Sequence, residues 1–127
     1  MWTVQWRDSE PHAVSSLEQL NRLLDEVQTT HDEANPVLVQ VRSPTGEILM
    51  IGIGGELCVL DHIAAGGWPA RHSVGNPDAE GSIPYRMGSY DSEIPKTDAI
   101  PRDLARKAVE HFYHSGQLLE DVTWEND

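Results

Sequence analysis

His111 and His114 stand three residues apart beside Glu110, a spacing at which two imidazoles on one helix could begin a metal site. Two imidazoles need at least one further ligand, and a helix-borne zinc protease carries HExxH, which "EHFYH" is not. They read as helix-end or solvent-facing residues, and no metal is expected. Cys58 is the only cysteine, so no intrachain disulfide can form and a reducing compartment suits the chain. Set in "ELCVLD", it reads as a small buried hydrophobe rather than a nucleophile. Asp61 and His62 could make an acid–base pair, yet neighbours on a strand point to opposite faces. "IGIGG" at 51–55 invites comparison with a phosphate-cradling loop. A dinucleotide loop needs a third glycine and an immediate helix, and a P-loop needs Gly-Lys-Ser/Thr. The next residues are "ELCVLDH", a strand-like run, so Gly54 and Gly55 read as a two-residue hairpin loop with φ > 0. No GxSxG, CxxC or catalytic Cys-His signature occurs. The sequence therefore implies no catalytic residue and no cofactor.

The elements around these residues alternate between strand and helix patterns. "WTVQW" alternates as a strand does. Leu17, Leu20, Leu24 and Val27 then recur at helical spacing in "SSLEQLNRLLDEVQTTH", with Ser15 and Glu18 forming a capping box. After "NP", the β-branched stretch from Val37 onward predicts antiparallel strands near 37–42, 47–53 and 56–61, with "SPTGE" as a tight turn. Its central strand is apolar on both sides and needs cover on each face, for which the helices are the available lids. Residues 62–82 read mainly as loop, with "RHSV" as a possible short strand. "IPYRMGSYDSEIP" reads as one further strand, held to an edge or bulge by Pro84 and Pro95. A second helix spans "TDAIPRDLARKAVEHFYHSG", closed by Gly116, and "DVTWE" ends the chain as a strand. The fold class predicted is α+β: one domain over residues 1–127, an antiparallel sheet of about five to seven strands with two main helices packed on it.

Charge limits the partners. Twenty-one acidic against nine basic residues give a net charge of −12 in 127 residues. Residues 36–75, the presumed sheet, are nearly neutral, and the acids lie to either side. Such a field repels nucleic acid and anionic lipid and speeds encounter with basic proteins, although acidic surfaces also serve solubility alone. No stretch is apolar for the roughly 18 residues of a membrane span, and the first residues lack a targeting pattern. A cytoplasmic protein is expected.

Aromatics refine the expectation. Trp2, Trp6 and Trp124 fall in terminal strands and should help close the core. Trp68, Tyr85 and Tyr90 sit in or beside the glycine-rich connection, near Asp78, Glu80, Asp91 and Glu93. Rings supply buried area and carboxylates supply steering, a combination suited to gripping a basic protein. These seven residues are the candidate partner-binding set, with the inward packing of Tyr85 as the competing reading.

In this order, "ILMIGIGG", then "SEIP" leading into a helix, then "HSGQLLEDVTWE" with its pair Trp124-Glu125, the chain resembles immunity protein family 1 of bacterial polymorphic toxin systems. The resemblance spans nearly the whole chain. It implies an α+β protein without enzymatic activity, encoded beside a secreted toxin, often a nucleic-acid deaminase or nuclease, and neutralising it by tight binding. Trp124 and Glu125 match the family pattern in a structural capacity. Two other readings stand beside it. One is a small cytosolic ligand-binding domain or enzyme using residues 62–82 as a pocket lid, with His62 or His72 as a polar group. The other is a homo-oligomer pairing through a strand edge.

Overall fold

The computed structural model describes residues 1–7 and 9–127. Among them, eleven strands and two α-helices run in the order β1 (Trp2–Trp6), β2 (His12–Val14), α1 (Leu17–Thr30), β3 (Val37–Arg42), β4 (Ile48–Ile53), β5 (Leu57–Cys58), β6 (Leu60–Ile63), β7 (Ala70–Val74), β8 (Ser82–Met87), β9 (Tyr90–Pro95), a 3-10 turn (Lys96–Asp98), β10 (Ile100–Pro101), α2 (Arg102–Ser115) and β11 (Thr123–Asn126). The main sheet follows the order β11-β7-β6-β4-β3-β1-β2, and β8 and β9 join it through β3, making nine strands. All its pairings are antiparallel except the single bridge of Val37 with Arg86 between β3 and β8. The class is α+β as predicted, with a larger sheet than the five to seven strands expected.

Three features account for the extra strands. β2 is too short and polar to leave a period. The 56–61 run divides at Val59: Leu57 and Cys58 turn away to pair with Pro101 and Ile100, while Leu60–Ile63 pair with β4. "IPYRMGSYDSEIP" folds back on itself as the β8–β9 hairpin, because Gly88 takes a φ of 63° at the first position of a two-residue loop between Met87 and Tyr90. By contrast, neither Gly54 nor Gly55 has positive φ. They are small for a different reason: a Cβ on Gly54 would lie 2.7 Å from Pro36 Cβ, and one on Gly55 would lie 2.6 Å from Glu33 Cγ. Close approach of the 32–36 turn, rather than a tight hairpin, explains the pair. The "SPTGE" turn forms as predicted, with Ser43 N–H donating to the Glu47 carbonyl at 2.8 Å.

Both helices lie on one face of the sheet. Leu20, Leu24 and Val27 of α1 and Ala105, Ala108, Val109 and Phe112 of α2 share a core with Val37, Val39, Val41, Leu49, Ile51 and Ile53. The two helices meet where Arg106 Nη2 donates to Asp25 Oδ1 at 3.0 Å and to the Asn21 carbonyl at 3.3 Å. Trp2, Trp6 and Trp124 pack around this core. The cap of α1 sits one residue later than expected: Ser16 accepts from Gln19 N–H, Gln19 Oε1 accepts from Ser15 N–H, and Glu18 instead pairs with Arg22 at 2.9 Å. Gly116 closes α2 at φ 72°.

The second face of the central strands is covered by the β8–β9 hairpin rather than by a helix. Leu38, Val59, Tyr85 and Ala99 form a smaller core there, flanked by Ile83, Met87 and Ile94. Gly52 makes this possible, since a Cβ on it would lie 2.6 Å from the Tyr85 ring. Among the described residues no helix is long and apolar enough to cross a membrane.

Candidate functional site

The hairpin divides its residues by face. Ile83, Tyr85 and Met87 alternate inward. Ser82, Pro84 and Arg86 point outward, opposite Pro95, Glu93 and Asp91 in the β9 register. Asp91 and Glu93 are thus two residues apart on one exposed face. Glu93 Oε2 accepts from Ser82 Oγ at 2.5 Å, and Asp91 Oδ1 lies 3.7 Å from Arg86 Nε. That ion pair is about half exposed on both sides, so it holds Asp91 only weakly. Among the described residues β9 pairs with β8 alone, and its other edge has no strand partner. Tyr90 stands at the tip, 59% exposed.

Of the seven candidate residues, the fold gathers Tyr90, Asp91 and Glu93 on this hairpin and leads into it with Asp78 and Glu80, both exposed on the 75–81 connection. Tyr85 belongs to the same hairpin but is 1% exposed, so it anchors the hairpin and offers no open ring. Burial pushes its phenol well above the ordinary range, which keeps it neutral. Trp68 is 68% exposed but lies in the β6–β7 turn, at the far end of β7 from Asp78. Five strand residues separate those ends by roughly 17 Å.

A groove adjoins the hairpin. Its volume is about 430 Å³, and its walls are Glu33, Pro36, Gly55, Glu56, Leu57, Ser82, Ile83, Pro84, Tyr85 and Lys96. The 62–82 connection supplies only Ser82 to this groove, and residues 62–63 and 70–74 are strand.

The titratable residues that the sequence brings forward are accounted for by packing. Cys58 is fully buried, and burial pushes its thiol up to about 11 against the lowering fields of Arg102 and Arg106. It remains an inert thiol at neutral pH. Asp61 and His62 do face opposite ways. His62 packs edge-on to Phe112 at 5.8 Å on the helix side, where burial lowers its pKa despite Glu47 at 3.7 Å. Asp61 faces the other side, in a cross-strand row with His72 and Glu125. His111 is half-buried and His114 exposed on α2. Among the described residues no three His, Cys, Asp or Glu side chains are disposed to hold a metal ion.

Sequence reasoning misses the group around Asp61. His72 Nδ1 lies 2.6 Å from Asp127 Oδ1, and its Nε2 lies 3.9 Å from Asp98 Oδ1. Burial first, then the charge of Asp127 and a hydrogen bond with it, push Asp61 up to about 7. Burial alone would lower His72, but the Asp127 hydrogen bond and the charges of Asp98, Asp127 and Glu125 raise it. Burial also raises Asp98, against the field of His72. His72 thus joins β7 to the 3-10 turn and to Asp127, with Asp61 of β6 beside it in the cross-strand register. Reading 62–75 as a hairpin would find the pairing of Asp61 with His72.

The molecule is thus an α+β protein with a helix-backed sheet and an acidic hairpin standing over the opposite face. It belongs to the Imm1 family of immunity proteins: the family's sequence profile, described as "Immunity protein Imm1", matches residues 8–126, nearly the whole chain. No curated protein matches the chain significantly.

Proposed function

We propose that this chain is a cytoplasmic immunity protein that neutralises a cognate secreted bacterial toxin, one that acts on nucleic acid as a deaminase or nuclease. It does so without chemistry of its own, laying the outward face of the β8–β9 hairpin over a basic surface of the toxin. Family membership supports toxin immunity. The observation that carries the acidic-surface reading is the placement of Asp91 and Glu93 side by side on an exposed edge strand, in a chain of net charge −12. Toxins that grip phosphate carry basic clefts, and carboxylates on a rigid hairpin can occupy such a cleft in place of phosphate. Asp78 and Glu80 extend the same negative field, and Tyr90 offers an aromatic contact at the tip. Trp68, at the other end of the sheet, is excluded from this surface and would mark a second contact if it takes part.

Reversing both charges, Asp91→Lys with Glu93→Lys, should slow association with the toxin domain about tenfold at low salt and flatten the dependence of the rate on salt. Stopped-flow mixing over a range of ionic strength reads both effects. An association rate equal to wild type at every salt concentration would remove the hairpin from the interface.

A further inference from the structure

Beside the hairpin, the 430 Å³ groove has an apolar floor and an unevenly charged rim. Ile83 and Leu57 give it accessible apolar lining, with buried Pro36 and Tyr85 behind them, and Leu57 is 49% exposed, one of few large apolar side chains left open. Glu33, Glu56 and Lys96 supply its charged groups. None of these three charges has an ion-pair partner among the described residues. A second cleft of about 640 Å³ shares Glu33, Gly55 and Glu56 and adds Asp32 and Arg102. Glu33 lies flat over Gly55, where any side chain would strike it at 2.6 Å. The glycine therefore places this carboxylate at the junction of the two clefts, close to Glu56 along the chain.

We propose that this groove receives an arginine or lysine of the toxin, its aliphatic stem on Leu57, Pro36 and Ile83 and its cationic head between Glu33 and Glu56. The proposal rests on the toxin-binding reading above and names a second contact for it. A long basic side chain fits because it is apolar along its stem and charged only at its tip, and the groove offers both apolar lining and two carboxylates. An arginine has the further advantage of a planar fork that two carboxylates can share. The groove and the outward face of the hairpin share β8, so one partner surface can reach both. Lys96 lines the same groove and opposes a cationic occupant. It gives the proposal a signed test, because a small anion would depend on Lys96 and a basic side chain would not.

The test measures the Kd of the catalytically inactivated toxin domain encoded beside this protein, by calorimetry, for the wild type and three variants. Glu33→Gln with Glu56→Gln should raise Kd at least tenfold, Leu57→Ala should raise it severalfold, and Lys96→Ala should leave it unchanged or lower it. The glutamines keep the size of the side chains they replace, and thermal melts confirm that each variant is folded. Hydrogen exchange on the wild-type complex should show protection at 55–57 and 82–85, a readout that needs no variant. Wild-type binding with the glutamine variant at wild-type Kd, and no protection at those residues, overturns the groove and leaves toxin binding standing. Loss of binding on Lys96→Ala overturns it in favour of an anionic occupant. Failure of the wild type to bind the toxin domain overturns both readings together. A second copy of the chain in the groove would appear as a dimer in sedimentation, broken by Leu57→Ala, and would overturn it as well.

Discussion

Tyr85→Ala will destabilise the protein by about 3–5 kcal/mol, the range for removing a fully buried aromatic ring and leaving a cavity. The ring is the largest fully buried side chain. It lies against Gly52 and Val59 and holds the hairpin on the sheet, where β8 has only one bridge to β3, with Arg86 N–H donating to the Pro36 carbonyl at 2.9 Å. With so few backbone bonds between hairpin and sheet, the side-chain core carries the attachment. Denaturant melts should show the loss. Hydrogen exchange should show residues 82–95 opening well before α1 and α2, which share the other core. Tyr85→Phe should stay within about 1 kcal/mol of wild type, because the ring is kept. Gly52→Ala strikes the same contact from the sheet side, and its Cβ must displace the ring. Wild-type stability in Tyr85→Ala would mean that the hairpin is held by something other than this core.

The second large effect is a dependence of stability on pH centred on Asp61. Its carboxyl is raised from 3.8 to about 7 in the fold, so the folded state binds a proton that the unfolded state has already released. Stability therefore falls as pH climbs from about 4 to about 7 and stays reduced above that. Asp98 is raised and acts in the same sense. His72, also raised, contributes stability below its unfolded value of 6.5 that is lost as pH passes its folded value. His62 is lowered and acts oppositely, with its contribution lost as pH falls below 6.5. Asp61→Asn isolates the first effect. An asparagine keeps the size of the side chain but has no proton to lose. After allowance for solvent screening of a partly exposed group, it should gain about 2 kcal/mol over wild type at pH 8, a gap that closes toward pH 4. Urea melts at a series of pH values measure the gap. Equal stability of the two proteins across that range would contradict a raised Asp61 carboxyl.

Much of the framework is legible in the sequence because its elements carry strong periods. Leu20, Leu24 and Val27 fix α1, and Val37, Val39 and Val41 fix the inner face of β3. Gly116 marks the end of α2. The features that escape depend on partners distant in sequence. Gly54 and Gly55 look like hairpin residues until Pro36 and Glu33 are found lying against them. Met87-Gly88-Ser89-Tyr90 carries a turn signal in only one glycine, weaker than the doubled one at 54–55, and so the hairpin that covers the second face reads as one strand. Asp61, His72 and Asp127 come together through the antiparallel pairing of β6 with β7 and of β7 with β11, and Asp98 joins them because its 3-10 turn packs on β7, where Ser73 Oγ donates to the Asp98 carbonyl. The acidic residues of β9 are visible as composition, whereas their common outward face requires the register with β8. Tyr85 shows the limit of local context: its strand leaves both faces open as readings, and the choice is made by a core around Gly52 on another strand.

The central claim is that the protein silences its partner by occupying it, not by transforming it. Titrating it into a fixed amount of the active toxin domain, with residual activity on nucleic acid as the readout, tests this most directly. Activity should fall in proportion to the protein added, reach zero at a fixed molar equivalence, and not change with longer preincubation. Silencing by a small fraction of an equivalent that deepens with time, or activity untouched by excess, would contradict it.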